Sequence, residues 1–168
     1  MFCQPSTAQP PQKNGVLIIF GFFLIFIDMT EQKPLVLLID DEQEFREILC
    51  TKLRASGFNM VEAVNGEEGI RKIKEIKPDL VLLDLKMPVM NGAEAILEIK
   101  SDPAIKNFKV VFLTNYGEAQ KEMVGLNEKF AKEVGAFSYI RKTDDLDGIV
   151  ERIKNIFRAS ATNNSGNR

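Results

Sequence analysis

Apolar residues along this chain come in two alternating kinds of run. Short unbroken runs occur at Leu35-Val36-Leu37-Leu38-Ile39, Leu80-Val81-Leu82-Leu83 and Val110-Val111-Phe112-Leu113. Unbroken apolar sequence is the pattern of a parallel strand buried on both faces, since neither side of it meets water. Between these runs apolar residues recur three or four apart, the spacing of a helix with one buried stripe. Phe45, Ile48, Leu49 and Leu53 predict a first helix, stopped by Gly57. Phe58 to Val64 reads as a second, less apolar strand, and Gly66 to Ile76 as a second helix with Ile70, Ile73 and Ile76 inward, broken by Pro78. Ala93 to Lys100 predicts a helix with Ala95, Ile96 and Ile99 apolar, and a longer helical stretch covers Glu118 to Val134. Phe137 to Ile140 reads as the fifth strand, and Leu146 to Phe157 as the last helix, striped by Ile149, Val150, Ile153, Ile156 and Phe157. Five strands alternating with five helices predict an α/β fold: a doubly wound five-stranded parallel sheet with helices on both faces.

The two ends do not fit this alternation. Residues 1–14 are polar and carry prolines, and Val16 to Ile27 then runs VLIIFGFFLIFI, twelve residues interrupted only by Gly21. A bilayer-spanning helix needs about 20 apolar residues, so the run is short. Lys13 is the only charge before it and no small-residue cleavage site follows, so it is a poor signal peptide. MTEQKPLVLLIDDE, from Met29, reads as an ordinary lead into a first strand, with Met29 as the biological start. Residues 1–33 are therefore expected to lie outside the fold, as a start-site artefact or a dispensable extension, with a weak membrane-surface anchor as the alternative. The folded domain is expected over 34–158. Residues 159–168, ASATNNSGNR, are expected to be a disordered tail without a core.

Composition narrows the chemistry. The net charge is -2 with acids and bases mixed, and no basic block points to direct nucleic-acid binding. Cys3 and Cys50 are too few and too far apart for a disulfide framework, which fits a reducing, cytoplasmic setting. Histidine is absent, which removes imidazole bases, imidazole metal ligands and any phosphohistidine within the chain. A site here is built from carboxylates, hydroxyls and lysine, a set suited to hard cations such as magnesium.

Ligands in an open parallel sheet bind beyond the carboxyl ends of the strands. Those ends deliver Asp40 and Asp41 from the first strand, Asp84 from the third, Thr114 from the fourth and Lys142 from the fifth. Each alone has an ordinary explanation: a turn or cap aspartate, a strand-end threonine, a solvated lysine. Together they place three carboxylates, a hydroxyl and an ammonium on one edge. Clustered carboxylates repel one another, and a divalent cation relieves that repulsion. An ionised aspartate can also attack phosphorus to form an acyl phosphate, with a lysine and a hydroxyl steadying the phosphoryl oxygens.

Over Pro34 to Phe157 the sequence resembles the receiver domain of two-component response regulators. The resemblance is carried by VLLIDDE at 36–42, DLVLLDLKMPVMNG at 79–92, VVFLTN at 110–115 and FSYIRK at 137–142. It implies a flavodoxin-like fold of receiver type, in the CheY-like superfamily, with roles for particular residues. Asp84 is the phosphoacceptor, and Asp41, the backbone carbonyl of Lys86 and Asp84 hold Mg2+ or Mn2+ with Asp40 assisting through water. Thr114 is the switch hydroxyl, Lys142 the phosphate-pairing lysine and Tyr139 the switch aromatic, whose ordinary reading is a half-exposed strand residue. The implied protein is a signalling phosphoacceptor rather than a turnover enzyme. Its donor is a sensor histidine kinase or a histidine phosphotransfer protein, and its output partner is unknown.

The sequence departs from that pattern in three places. Thr143 follows Lys142 where the family usually has proline, which leaves the lysine loop less constrained. The Thr114-to-Lys142 segment is several residues longer than usual, near Tyr116 to Phe130. Lys86 sets a cation beside the acceptor. No output domain follows Phe157, so a stand-alone receiver is expected, with homodimerisation through the fourth helix and fifth strand as one arrangement. Two other functions compete with this reading. A phosphate-independent binding module has no need of the five-residue set. A haloacid-dehalogenase-like phosphatase carries a second aspartate two residues after its nucleophile, where this chain has Lys86. A membrane partner is not expected unless residues 16–27 act as a tether.

Overall fold

The computed structural model describes residues 32–115 and 133–159 in full, and residues 16–20, 23–27 and 160–164 by their backbone. The chain divides into two units, Met1–Gln32 and Lys33–Arg168. In the first, β1 (Val16–Phe20) pairs antiparallel with β2 (Phe23–Ile27), with Val16 opposite Ile27 and Phe20 opposite Phe23. The sequence pattern assigned this apolar run no element. Five apolar residues on each side of a central Gly21-Phe22 make two strands of equal length, where a helix of the same residues would be too short to span a bilayer. No helix among the described residues is long and apolar enough to cross a membrane.

The second unit runs β3 (Leu35–Ile39), α1 (Gln43–Ala55), β4 (Asn59–Ala63), α2 (Gly66–Ile76), β5 (Leu80–Asp84), α3 (Gly92–Ser101), β6 (Val110–Thr114), β7 (Ser138–Arg141) and α4 (Leu146–Asn164). The five strands form one parallel sheet in the order β4-β3-β5-β6-β7. The chain leaves β3 for β4 on one side, then crosses back to β5 on the other. The carboxyl ends of β3 and β5 therefore flank the crevice at which such sheets bind ligands.

Alternation along the strands sorts the core into two layers. Leu37, Ile39, Val81 and Leu83 pack with Ile70 and Ile73 of α2 and Ala95, Ile96 and Ile99 of α3. Val36, Leu38, Leu80 and Leu82 point the other way, onto Leu49 and Leu53 of α1 and Ile149, Val150 and Ile153 of α4. Helix starts are set locally. Asn65 accepts the Glu68 amide at the head of α2, and Asn91 and Glu94 cap each other's backbone amides at the head of α3.

The structure corrects several expectations. Ile48 is not on the buried stripe of α1 but 52% exposed, and Arg46 takes the inward position beside Leu49, Cys50 and Leu53. Ile76 is only half-buried. The last helix does not stop at Phe157 but continues to Asn164, into the stretch expected to be a tail. The helix expected over Glu118–Val134, and the long segment around Tyr116 to Phe130, lie outside the described residues except for positions 133 and 134. The dimer face expected there is described only on its β7 side.

Candidate phosphoacceptor site

The strand-end residues read from the sequence converge. Asp40 follows β3 directly and is fully buried, Asp84 closes β5 at 2% exposure, and Thr114 closes β6 at 2%. Lys142 follows β7, and its backbone amide donates to the Thr114 carbonyl at 2.8 Å, which carries the β6–β7 ladder one step into the site. Asp41 is exposed at the rim. Carboxylate oxygens of Asp40, Asp41 and Asp84 lie within 4.8 Å of one another. Asp84, Leu85, Lys86, Thr114 and Asn115 line a cavity of about 50 Å³ at the end of β5.

Gly92 fixes how closely the following helix approaches. A Cβ at that position would stand 2.2 Å from the Asp84 carbonyl oxygen and 2.9 Å from the Leu85 Cα. Only glycine lets α3 begin against the backbone of Asp84 and Leu85. The Lys86 amide, in the intervening loop, donates to Asp84 Oδ1 at 3.3 Å.

Lys142 is the electrostatic centre, with a side chain only 3% exposed. Its Nζ lies 2.8 Å from Asp40 Oδ2, 2.8 Å from Glu42 Oε1 and 3.0 Å from Asp84 Oδ2. The Phe45 ring centroid is 4.9 Å from the same nitrogen. Burial by itself would push the ammonium's pKa down, but the hydrogen bonds it donates to the carboxylates outweigh it and hold Lys142 above the usual lysine range. The two buried aspartates move the other way. Burial raises Asp40 and Asp84 above the ordinary carboxylate value, and Lys142 only partly offsets it.

That imbalance bears on a metal. Asp40 Oδ1 accepts the Glu42 amide at 2.9 Å, but Asp40 Oδ2 has its ion pair with Lys142 and no well-aligned hydrogen-bond donor. A buried, under-satisfied carboxylate oxygen beside two further carboxylates is an all-oxygen set that fits a hard divalent cation.

Three neighbours were not legible as site residues. Glu42 accepts from Lys142 and from Asn115 Nδ2, the latter at 3.1 Å. Burial would raise it, but Lys142 first and Asn115 second hold the Glu42 carboxyl below its usual value. Arg46 reaches behind the site, its Nη1 donating to the Asp40 carbonyl at 2.7 Å and its Nε 3.8 Å from Glu62 Oε2. Its signal was a charged residue in phase with Leu49 and Leu53. The loop after Lys142, without the proline usual to the family, is tied by Asp144, which pairs with Arg141 at 3.0 Å and Arg152 at 3.6 Å. Tyr139 lies half-buried on β7 opposite Phe112, packed against the α2–α3 side of the core.

Comparison with known proteins agrees with this geometry. The profile of the response regulator receiver domain matches residues 36–154. The phosphate regulon transcriptional regulatory protein PhoB of Escherichia coli is 34% identical over 123 residues, covering 73% of this chain and 51% of that protein. A CpxR homolog of Haemophilus influenzae is 38% identical over 127 residues, covering 76% of this chain and 52% of that protein. The chain thus spans about half the length of the curated relatives it matches. Among solved structures, a CheY-like receiver domain from Methanospirillum hungatei superposes with a TM-score of 0.67 at 23% identity, covering 79% of this chain and 99% of that one. The chemotaxis regulator CheY4 of Vibrio cholerae gives 0.66 at 22% identity, covering 74% and 99%. The parallel sheet, the acidic crevice at its switch point and the match over residues 36–154 all agree, and the chain belongs to the response regulator receiver domain family of two-component systems.

Proposed function

We propose that this receiver takes a phosphoryl group on Asp84 from a phosphohistidine donor, in a magnesium- or manganese-dependent reaction, and signals to a partner protein by a change of shape. The observation that carries the reading is the Asp84 carboxylate: buried at the end of β5, facing a cavity, with Lys142 3.0 Å away and two further aspartates alongside. An Asp84 oxygen attacks the donor's phosphorus. The new O–P bond forms as the donor's N–P bond breaks, and that bond's electron pair leaves on the imidazole nitrogen. Asp41, Asp84 and the Lys86 carbonyl, with Asp40 assisting, would hold the metal, which would supply charge neutralisation for the transferring oxygens. Lys142 pairs with one phosphoryl oxygen and Thr114 donates its hydroxyl to another. Drawing Thr114 inward frees space for Tyr139 and shifts the population toward a state with a different partner surface.

The division of the chain supports a receiver over 34–158, with residues 1–33 a separate extension. What the matched segment shares with the curated relatives is the receiver, so the transcriptional regulation in their names is not carried over. Intact-mass measurement after incubation with acetyl phosphate tests the proposal. One added phosphoryl group is expected, dependent on magnesium and absent in Asp84→Asn. A folded protein that takes no adduct under any of these conditions overturns it in favour of a phosphate-independent binding module.

A further inference from the structure

Glu42 stands outside the five strand-end residues, yet it makes one of the shortest contacts to Lys142, 2.8 Å from Oε1 to Nζ. Its position makes this notable. Glu42 is the N-cap residue of α1, where a side chain ordinarily satisfies the helix's free amides, and it makes no such bond. Its carboxylate turns away from the helix and spans the mouth of the site, between Lys142 and Asn115. Lys142 is thereby surrounded by three carboxylate oxygens within 3.0 Å, as many as an ammonium has N–H bonds.

A phosphoryl oxygen on Asp84 can pair with Lys142 only if one of these contacts yields. Asp40 is fully buried, and its other oxygen is fixed by the Glu42 amide, so it has nowhere to go. Asp84 is anchored in β5, and on phosphorylation its charge moves outward onto the phosphoryl oxygens, which calls Lys142 in the same direction. Glu42 has a side chain 52% exposed and can take water in place of the lysine. We propose that Glu42 is an internal competitor for Lys142: it holds the lysine in the unphosphorylated protein, releases it as the phosphoryl group arrives, and so lowers both the rate and the extent of phosphoryl uptake. Glu42 also adds a fourth carboxylate to the face that an anionic donor approaches, which acts in the same sense. Asn115, which holds the same Oε1, is its accessory. Glu42 is thus a positioning residue acting through Lys142, and the inference rests on Asp84 being the acceptor.

The test compares the natural chain with Glu42→Gln and Asn115→Ala, reading magnesium-dependent adduct formation from acetyl phosphate and equilibrium affinity for beryllofluoride, a stable phosphoryl mimic. Glu42→Gln keeps the side chain's size and removes its charge. Uptake rate and beryllofluoride affinity are expected to rise by about two- to fivefold, as for a partly exposed ion pair. Asn115→Ala is expected to give a smaller rise. Added salt screens the pair and should narrow the gap between Glu42→Gln and the natural chain, a response that a merely structural role would not produce. An adduct on the natural chain, with Glu42→Gln equal to it or slower, overturns the competitor while leaving Asp84 as acceptor. No adduct on the natural chain, with Asp84→Asn equally inert, overturns the acceptor and the competitor together.

Discussion

The interior of the sheet and its carboxyl edge differ over the length of a single residue. Leu80 to Leu83 of β5 are wholly buried and apolar, and the next residue, equally inaccessible, is Asp84. The same step separates Ile39 from Asp40 and Leu113 from Thr114. In the interior, burial and packing act together, and β3 and β5 are covered by helices on both faces. At the edge, burial opposes the charge it encloses and raises both Asp40 and Asp84 above the ordinary carboxylate value. The strands that stabilise the fold thus hold at their tips groups that the fold would be more stable without. That is the expected mark of a site kept for chemistry.

The contrast can be broken most forcefully in the interior. Leu82→Ala removes a side chain with no solvent exposure and is expected to cost about 3 kcal/mol in urea unfolding, leaving the edge residues chemically unchanged. A cost below about 1 kcal/mol would mean that the layer between the sheet, α1 and α4 repacks freely. At the edge the sign reverses. With metal chelated, Asp84→Asn is expected to raise the melting temperature near neutral pH, because it removes a carboxylate whose burial outweighs its pairing with Lys142. A buried acid with a raised pKa favours folding below its unfolded value, and that advantage is lost as pH climbs through the folded value. The gain in Asp84→Asn should therefore shrink as pH falls toward about 3, where the natural carboxyl is itself protonated. A constant gain across that range would locate the effect in packing rather than charge. The smallest effect belongs to neither region: Ile48→Ala, on the exposed face of α1, is expected to change stability by no more than about 0.5 kcal/mol.

Much of this was legible in one dimension because each key residue closes an apolar run. Asp84 and Thr114 end their strands, Asp40 and Lys142 directly follow theirs, and a parallel sheet gathers its strand ends on one edge. Glu42 was not legible, because nothing in a periodic pattern tells a helix-capping glutamate from one that reaches a lysine 100 residues away. On α1, Ile48 and Arg46 both fall near the boundary of the stripe. Apolar character alone favours Ile48, whereas the structure turns Arg46 inward, where the Asp40 carbonyl and Glu62 satisfy its charge. The extension of α4 to Asn164 carries no apolar stripe, and β1 and β2 are apolar at every position, so neither offered a period to read.

The amide bond from Lys142 to the Thr114 carbonyl has a mechanical consequence. The two side chains proposed to grip the phosphoryl group do not hang from independent supports. Their backbones are yoked, and a pull on one is shared by the other. The supports differ in stiffness: β6 lies inside the described sheet and is buried throughout, whereas β7 is its four-residue border strand with only Ile140 fully enclosed. Such a yoke behaves as a lever with one rigid arm and one compliant arm. Load applied at the proposed acceptor is therefore expected to show as displacement along β7, the strand that carries Tyr139.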